Sequence, residues 1–540
     1  MKIAVFHYHL HPGGVTTVIR YSAAAAATYI DGIEEILLVA GAREHADSVC
    51  RAVAESIDSR RKCSVSYAVL PEMGYTDRKQ AETLDLPELK RELVRRFRGY
   101  FWWVHNYHIG KNPIFTRAVL ESAQEHPEQP VLFHIHDFPE CARFGNLGFL
   151  RRYYSDTLYP AGDNLFYGVI NSRDHRLLTD AGLPESNVFY LPNPKPPEQA
   201  EEFSTPPQKE VDRAYAGIES YIPGAPVLLY PVRSIRRKNV LEAGLFSKLT
   251  ESPVNLFTTL PGESEHEKGY SELVEKAYRN KLIPGVFGAG IPSMEEKTGI
   301  TFHDLIGFCR SIVSSSIQEG FGYLFIQAIS WGKNLFAKNL ETLTDFTPFF
   351  SGNSHCVYNA LSVPLDQQEM TDAKALYGTY LSGLVQFLGE EGVESLKTAM
   401  NRMLGQNPVD FSFLPPDMQY KVLLRCRDEG FAEECGKINE HELKRFNRLL
   451  DSSGRASEID LDGQFGFEAY ACRVEEVFSA SAAVPAPSAA PGTGQGSAAG
   501  SSPASLRSSP GGDRLERDRK IQQFFLKPEY IRLLYAPYPP

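Results

Sequence analysis

The sequence predicts an α/β protein with two domains, each built on a parallel sheet that helices cover on both faces. The 540 residues are more than a single hydrophobic core accommodates. Short runs of β-branched and aromatic residues alternate with helical stretches, and the alternation occurs twice, before and after a proline-rich segment. These observations predict two Rossmann-like domains, residues 1–200 and residues 201–370.

The predicted strands follow one another at regular intervals along both series. The first series contains KIAVFHY, EEILLVAG, YFWWVHN, PVLFHIHDF, LFYGVINS and NVFYLPNP. The proline-rich residues 192–208 then indicate a hinge or linker. The second series contains APVLLYPVR, VNLFTTLPG, GVFGAG, RSIVSSSIQ and KNLFAKN.

The last third of the chain has a different pattern. Residues 371–478 are mainly helical by composition. Residues 479–513 consist largely of Ala, Ser, Pro and Gly, which cannot offset the entropy of ordering, so we predict a disordered linker. Residues 514–540 regain aromatic residues and a helical period, which predicts a segment that docks on the folded body.

Bulk properties exclude several classes of partner. The net charge of −11 argues against nucleic acid as a partner. Eight cysteines without a Cys-x-x-Cys pair, and a first segment without an apolar leader, predict a cytoplasmic protein. No run is long and apolar enough to predict a transmembrane helix. Peripheral membrane contact stays open, and the sequence does not define the oligomeric state.

Two glycine turns follow predicted strands, one in each series. Gly13 and Gly14 follow the first strand, and Gly320 and Gly322 stand at the matching place in the second domain. Such turns commonly serve backbone geometry alone. They also place helix N-terminal amides at the carboxyl ends of strands, where phosphates bind. Two turns of this kind therefore favour a phosphate-bearing ligand.

A basic cluster follows the first strand of the second domain. Arg233, Arg236, Arg237 and Lys238 stand within six residues of an otherwise acidic chain. Most such runs are solvated turns. Arginine forks and a lysine charge at the carboxyl end of a strand can also hold a diphosphate.

These segments together carry a resemblance to a known family. The chain resembles GT-B glycosyltransferases of the retaining family 4 type, the group that includes glycogen synthase and the group 1 glycosyltransferases. The resemblance covers roughly residues 1–345 and lies in HPGGVTTVI, HIHDFPE, NSRDHRLLTDAGLPESNVFYLPNP, VRSIRRKNV and SSSIQEGFGYLFIQAISWG. It implies two Rossmann-like domains facing a cleft, with a nucleotide-sugar donor on the second domain and an unidentified acceptor on the first.

The resemblance also implies roles for individual residues. Arg233 and Lys238 would neutralise the donor diphosphate, which Gly14 and its neighbour Gly13 would approach. Glu319 would bind hydroxyls of the transferred sugar, and the amides of Gly320, Phe321 and Gly322 would add phosphate contacts. The implied activity is retaining, metal-independent transfer of a hexose. The residues expected to act in catalysis are Glu319, His136, Arg233 and Lys238.

Gln327 departs from the family pattern, which has a second glutamate eight residues after the first. That glutamate would bind the nucleotide ribose. Glutamine can accept from one hydroxyl and donate to the other. Loss of the charge would weaken donor binding by on the order of 1–2 kcal/mol. The change therefore does not by itself predict an inactive protein.

Polar residues at two strand ends are candidates for the acceptor side. His136 is the second histidine of HIHDF, and the resemblance implies that its ring bonds a hydroxyl of the reacting sugar; the alternative is a structural histidine inside a turn. His105, Asn106, Lys111 and Asp137 end neighbouring strands of the same predicted sheet and are expected to line the acceptor side.

No metal or other cofactor is expected. His7, His9 and His11 lack the further ligands of a zinc site. Asp460 and Asp462 lie far from any predicted strand end, and their segment lacks the final glutamate of a calcium loop. Three alternatives stay open: a degenerate GT-B protein that binds a sugar nucleotide or sugar phosphate without transfer, a GT-B epimerase and a GT-B phosphorylase.

Overall fold

The chain folds into two compact units, each with its own parallel sheet. The computed structural model describes residues 1–195, 197, 203–350, 355–451, 460–482 and 512–534. The first unit comprises Met1–Pro197 and Leu461–Phe525, and the second comprises Glu198–Asp460 and Leu526–Pro540. The predicted α/β class with two Rossmann-like sheets is confirmed.

The first unit contains a parallel sheet of seven strands in the order β3-β2-β1-β4-β5-β6-β7. The strands are β1 (Lys2–Phe6), β2 (Glu35–Ala40), β3 (Ser64–Val69), β4 (Phe101–His105), β5 (Val131–Ile135), β6 (Leu165–Val169) and β7 (Val188–Tyr190). Its first helices are α1 (Gly14–Tyr29), α2 (Ala46–Ser56), α3 (Arg78–Thr83), α4 (Leu86–Phe97), α5 (Pro113–Glu125), α6 (Phe144–Tyr153) and α7 (Ser172–Asp180). The strand order reverses between β1 and β4, and ligands bind outside the carboxyl ends of strands at such a switch point.

The second unit repeats this design with six strands in the order β10-β9-β8-β11-β12-β13. The strands are β8 (Val227–Arg233), β9 (Asn255–Leu260), β10 (Gly285–Val286), β11 (Ser311–Ser314), β12 (Asn334–Lys338) and β13 (His355–Tyr358). Its helices begin with α8 (Gln208–Tyr215), α9 (Val240–Leu249), α10 (Glu265–Arg279), α11 (Pro292–Thr298), α12 (Phe302–Phe308) and α13 (Tyr323–Ser330). The switch point of this sheet lies between β8 and β11.

A helical layer completes the second unit. A two-stranded antiparallel ladder joins β14 (Ser362–Val363) to β15 (Val409–Asp410). The helices around it are α14 (Gln367–Ser382), α15 (Val385–Met403, interrupted at Gly389), α16 (Pro416–Arg425), α17 (Glu429–Ile438) and α18 (Glu440–Asp451). The helical character expected for residues 371–478 is present in these helices.

The chain then returns to the first unit, so the helical region expected as one domain at 371–478 is divided between the units. Helices α19 (Asp462–Phe465) and α20 (Phe467–Ser481) lie in the first unit, where α20 packs on α1. Five consecutive buried alanines, Ala23–Ala27, leave room for the larger side chains of α20. This close packing explains why α1 is rich in alanine.

The predicted linker at 479–513 falls mostly outside the described residues. Its first residues continue α20 to Ser481, since Val477 and Phe478 are anchored in the core beneath α1. Helix α21 (Gly512–Phe524) follows in the first unit, and α22 (Pro528–Ile531) lies in the second. The tail predicted as one docking segment at 514–540 therefore contributes to both units.

Helix α21 is held by buried polar contacts within the first unit. Asp518 is 6% exposed and accepts hydrogen bonds from the Thr157 hydroxyl at 2.5 Å and from the Leu158 amide at 3.0 Å. Asp518 also pairs with Arg151, and Arg517 donates to the carbonyl oxygen of Gly182 at 3.1 Å. The segment is thus an integral part of the unit. Among the described residues, none of the helices combines the length and apolar character needed to traverse a bilayer.

Candidate functional site

The basic cluster at 233–238 is divided by the structure into one buried anchor and three residues near the strand end. Arg236 is 3% exposed and donates to Asn239 Oδ1 at 2.9 Å and to the Ser412 carbonyl oxygen at 3.0 Å. Asn239 adopts a left-handed conformation with φ 50° and begins α9. Arg236 therefore fixes the turn and is not available as a phosphate ligand.

The turn that contains Glu319 is bonded directly to this basic corner. Strands β8 and β11 are neighbours in the sheet, so their carboxyl ends lie side by side. The Ile317 amide donates to the Arg237 carbonyl oxygen at 2.9 Å, and the Ser315 hydroxyl donates to the Asn239 carbonyl oxygen at 2.9 Å. Two segments that are about 80 residues apart in sequence thus form one rigid edge at the switch point.

Glu319 is the charge centre of this edge. It is 7% exposed, one carboxylate oxygen pairs with Lys238 Nζ, and the other lies 3.2 Å from Arg237 Nη1. Burial lowers the pKa of Lys238 to about 8, although Glu319 acts in the opposite direction. Burial raises the pKa of Glu319, but Lys238 and Arg237 outweigh it and the pKa lies below its usual value. The corner therefore holds a carboxylate and two cations in contact.

Other predicted donor residues surround this centre less tightly. The side chain of Arg233 is 46% exposed and lies 3.5 Å from Glu263. Gln327 is exposed on α13. Gly322 has φ 95°, and a Cβ atom there would lie 2.5 Å from the Phe325 ring, so this position requires glycine. Arg233, Lys238, Glu319 and the turn 320–322 thus follow the adjacent strands β8 and β11, whereas Gln327 lies further along, inside α13.

Arg237 was predicted only as a member of the basic cluster and was not among the individual residues expected at the site. Its partner Glu319 lies 82 positions further along the chain. The signal was present, because β8 and β11 flank the switch point of a Rossmann-like sheet and residues just after both strands meet there. Sequence alone did not show which of three consecutive basic residues points inward.

The glycine turn of the first unit is exposed to solvent. Gly13 and Gly14 are exposed at the start of α1, and a Cβ atom on Gly14 would meet nothing within 4 Å. The turn is thus accessible, as a phosphate site requires.

The histidines after β4 and β5 form a buried stack. His105 Nδ1 lies 2.9 Å from His136 Nε2, and their rings are parallel within 10°. His134 stacks on His136 and accepts a hydrogen bond from Trp103 Nε1 at 3.2 Å. Burial lowers the pKa of His136 to about 3 and those of His105 and His134 well below their usual value. All three rings are therefore neutral at pH 7.

This stack changes what His136 and His105 can do. A neutral ring cannot supply positive charge beside a reacting sugar, so His136 could act on a sugar only through a hydrogen bond to a hydroxyl. Within the described residues, Nδ1 of His136 has no hydrogen-bond partner and is the atom left to bond a hydroxyl. His105 is 1% exposed and supports His136, so it does not line an acceptor surface itself.

The same three histidines are the group that best matches a metal site in the described residues. One nitrogen from each lies within 4.8 Å of the others. The rings stack with angles of 10°, 29° and 37° between their planes, whereas zinc requires ligands that converge tetrahedrally on one point. A metal ion would also have to break the hydrogen bond between His105 and His136. The geometry fits a neutral stack better than a metal centre, and the absence of a metal stays a prediction.

Asn106 has a structural role that its position in the sequence did not reveal. It is 2% exposed with φ 51°, and its Oδ1 accepts from the amides of His136 at 2.8 Å and Asp137 at 3.3 Å. It therefore shapes the loop after β5 and has no free oxygen directed at an acceptor. Asp137 itself is half-buried and lies 3.0 Å from Arg143 Nη2. Lys111 lies over the Tyr75 ring, with Nζ 5.4 Å from the ring centroid.

Glu140 in the same loop should make stability depend on pH. Burial raises its pKa to about 7, and the Tyr159 hydroxyl donates to it at 3.0 Å. Because the folded pKa exceeds the unfolded one, the protonated carboxyl stabilises the fold at low pH. This contribution is lost as pH rises from about 4.5 to above 7. We expect Glu140→Gln to raise stability at pH 8 by up to about 3 kcal/mol and to change it little at pH 4.5. Melting temperatures at both pH values test this, with exposed Glu72→Gln as control; equal shifts at both would contradict it.

The chain is similar to a protein of known activity and, more distantly, to several solved structures. No family model matches the chain. The chain is 28% identical over 498 residues to mannosylglucosyl-3-phosphoglycerate synthase of Petrotoga mobilis, covering 88% of this chain and 90% of that protein. Among solved structures, the Anabaena protein HepE in complex with UDP-glucose matches with 12% identity, covering 89% of this chain and 99% of HepE, with a TM-score of 0.49. Sucrose-phosphate synthase of Thermosynechococcus elongatus matches with 14% identity, covering 82% and 99%, with a TM-score of 0.43.

Proposed function

We propose that this protein is a glycosyltransferase that transfers a hexose from a nucleotide-sugar donor to an acceptor, with retention of configuration and without a metal ion. The observation that carries the proposal is the contact of Lys238 and Arg237 with Glu319 beside the glycine turn at the switch point of the second sheet. The 28% identical relative, a synthase of a sugar-bearing product by its name, supports the same class.

The chemistry proposed for this edge is electrostatic. The nucleotide diphosphate gains negative charge as its bond to the sugar breaks, and cationic side chains fixed before the reaction stabilise such a leaving group. Lys238, Arg237 and the more exposed Arg233 supply this charge. Glu319 accepts hydrogen bonds from hydroxyls of the transferred sugar, and the segment 320–322 adds backbone contacts. Gln327, exposed on α13, takes the place of the ribose-binding glutamate.

The first unit contributes residues for the acceptor and for the sugar. In this proposal the turn at Gly13 and Gly14 offers helix N-terminal amides to a phosphate group. His136 offers Nδ1 to a sugar hydroxyl, with His105 holding its ring. The product named for the Petrotoga mobilis relative leads us to propose that the acceptor is a glycoside of 3-phosphoglycerate.

Direct turnover assays test the proposal. The purified chain is incubated with UDP-, GDP- and ADP-hexoses, with and without a glycoside of 3-phosphoglycerate. We expect release of nucleotide diphosphate and a product one hexose heavier, with the donor's anomeric configuration in its NMR spectrum. Turnover should persist after treatment with EDTA. Donor binding without release of nucleotide diphosphate would contradict transfer, and loss of turnover that added Mg²⁺ or Mn²⁺ restores would contradict metal independence.

A further inference from the structure

The carboxyl edge of the first sheet carries a second group of charged residues, distinct from the histidine stack. Lys111 follows β4, Asp137 and Arg143 follow β5, and Tyr75 follows β3. These strands belong to the contiguous part of the sheet β3-β2-β1-β4-β5, and all of them are parallel, so the loops after them share one edge. Ligands bind at this edge in open parallel sheets.

The loop that holds Tyr75 and the loop that holds Lys111 are joined rigidly. The Thr76 amide donates to the Lys111 carbonyl oxygen at 2.9 Å. Asn112 Nδ2 donates to the carbonyl oxygens of Glu72 and Gly74 at 2.8 and 2.7 Å, while Asn112 also begins α5. The backbones at Lys111 and Tyr75 are therefore held relative to each other.

Lys111 has no carboxylate partner among the described residues. Its Nζ lies over the Tyr75 ring, which is 48% exposed and packs on His9 with centroids 4.9 Å apart. Burial, and then Arg143, lower the pKa of Lys111. The loop of Lys111 is also joined to the start of α6, where Arg143 is the N-cap residue, because Asn146 Nδ2 donates to the Ile109 carbonyl oxygen at 3.0 Å. The lysine, the arginine and the phenol therefore lie on connected loops at one edge of the sheet. Two cations held close together without a counterion for each repel one another, and an incoming anion would relieve that repulsion.

The charges of the cluster leave an excess of one positive charge. The carboxylate of Asp137 neutralises the charge of Arg143, since its Oδ2 lies 3.0 Å from Arg143 Nη2. Both side chains are about one third exposed. Lys111 remains uncompensated. In the described part of the chain, the Tyr75 hydroxyl makes no hydrogen bond. A guanidinium fork, an ammonium group and a phenol hydroxyl together match the oxygens of a phosphate or carboxylate group.

We propose that Lys111, Arg143 and Tyr75 form an oxyanion site that binds the acidic end of the acceptor, so that the acceptor substrates are anionic glycosides. That the bound anion is part of the acceptor rests on the proposed function. Binding of an anion at this site does not require catalysis. Asp137, beside Arg143, accepts hydrogen bonds from hydroxyls next to the acidic group.

Calorimetric titration of the full chain without donor tests the site. The probes are 3-phosphoglycerate, glycerol 3-phosphate with phosphate alone, glycerate with carboxylate alone, and neutral glycerol. We expect binding of at least one of the acidic probes and none of glycerol. The comparison of glycerol 3-phosphate with glycerate shows which oxyanion the site holds.

Charge-removing variants then locate the binding. Lys111→Met and Arg143→Gln are each expected to weaken the Kd of the bound probe by about 10- to 100-fold, as for a hydrogen bond to a charged group. Lys62→Met is the matched control, because Lys62 is exposed just before β3, at the opposite edge of the sheet.

The titrations of these variants can support the site or overturn it. A Kd within twofold of the unchanged protein in Lys111→Met, an equal loss in Lys62→Met, or no binding of any acidic probe would overturn the site. Circular dichroism shows whether each variant is folded, and Lys111→Arg should recover binding if the charge is what matters. A chain that binds the probes through Lys111 but fails in the turnover assay would retain this site and lose the proposed function.

Discussion

Replacement of Lys238 by alanine is expected to lower kcat by about 10²- to 10³-fold, the range found when one preorganised stabilising donor is removed from an active site. The reason is that Lys238 is buried against Glu319 and is the cation best placed at the switch point of the second sheet. The measurement is steady-state release of nucleotide diphosphate. Arg233→Ala should cost less, about 10-fold, because Arg233 is half-exposed and screened by solvent.

Controls separate this effect from loss of structure. Glu319 keeps Arg237 as a partner in Lys238→Ala, so we expect the variant to fold, and its melting temperature checks this. Lys268→Ala removes an exposed lysine of α10 and should leave kcat unchanged. If the double variant Arg233→Ala, Lys238→Ala turns over donor at the original rate, the diphosphate is not held at this corner.

The pH dependence of kcat/KM tests the role of Lys238 independently. Lys238 is a cation below its pKa of about 8, so kcat/KM, which reports on the free enzyme, should fall as pH rises through that value. Lys238→Arg should move this limb to higher pH, because arginine stays protonated.

Replacement of Lys338 by methionine is expected to destabilise the second unit by about 3–5 kcal/mol, the usual cost of breaking a buried ion pair from one side. Lys338 is 1% exposed and lies 2.9 Å from Glu242, which is fully buried. Tyr358 and Asn239 also donate to Glu242, at 2.8 and 2.6 Å, but they cannot neutralise its charge. Urea denaturation followed by circular dichroism measures the change.

Two further variants show whether charge is the cause. Lys338→Met combined with Glu242→Gln removes both charges and should recover part of the lost stability. Lys397→Met breaks an exposed pair with Glu394 and should cost less than about 1 kcal/mol. Equal losses in Lys338→Met and Lys397→Met would mean that the buried pair does not stabilise the unit. Because Asn239 links Glu242 to Arg236, loss of this pair should also loosen the basic corner.

Sequence reasoning predicted the fold because strand periodicity is local. The runs from KIAVFHY to KNLFAKN each form a strand, and the two series form the two sheets. It missed SVSYAV, which is only partly buried, and the last strand of the second sheet, HCVY. It also missed the return of α19–α21 to the first unit, since packing of α20 on α1 joins segments over 400 residues apart.

The candidate site was predicted in part, because the ends of strands can be located in the sequence. The residues identified in this way include Lys238, Glu319, His136 and Lys111. Which side chains face inward depends on tertiary contacts. Arg236 fixes its turn by bonding Gln419. Asn106 shapes the loop after β5 and His105 holds the ring of His136, both by bonding His136. Each of these partners lies 30 or more residues away in the sequence.

Because the chain returns to the first unit near its end, the core of that unit is completed late in synthesis. The apolar cover of α1, with Phe467, Tyr470 and Val474, leaves the ribosome only after the whole sheet of the second unit has been synthesised. Until then a nascent chain carries an uncovered alanine face, which is the kind of surface that chaperones bind and that promotes aggregation. Translation that stops near residue 200 should therefore yield an unstable product, whereas the second unit has its core assembled from one nearly continuous stretch.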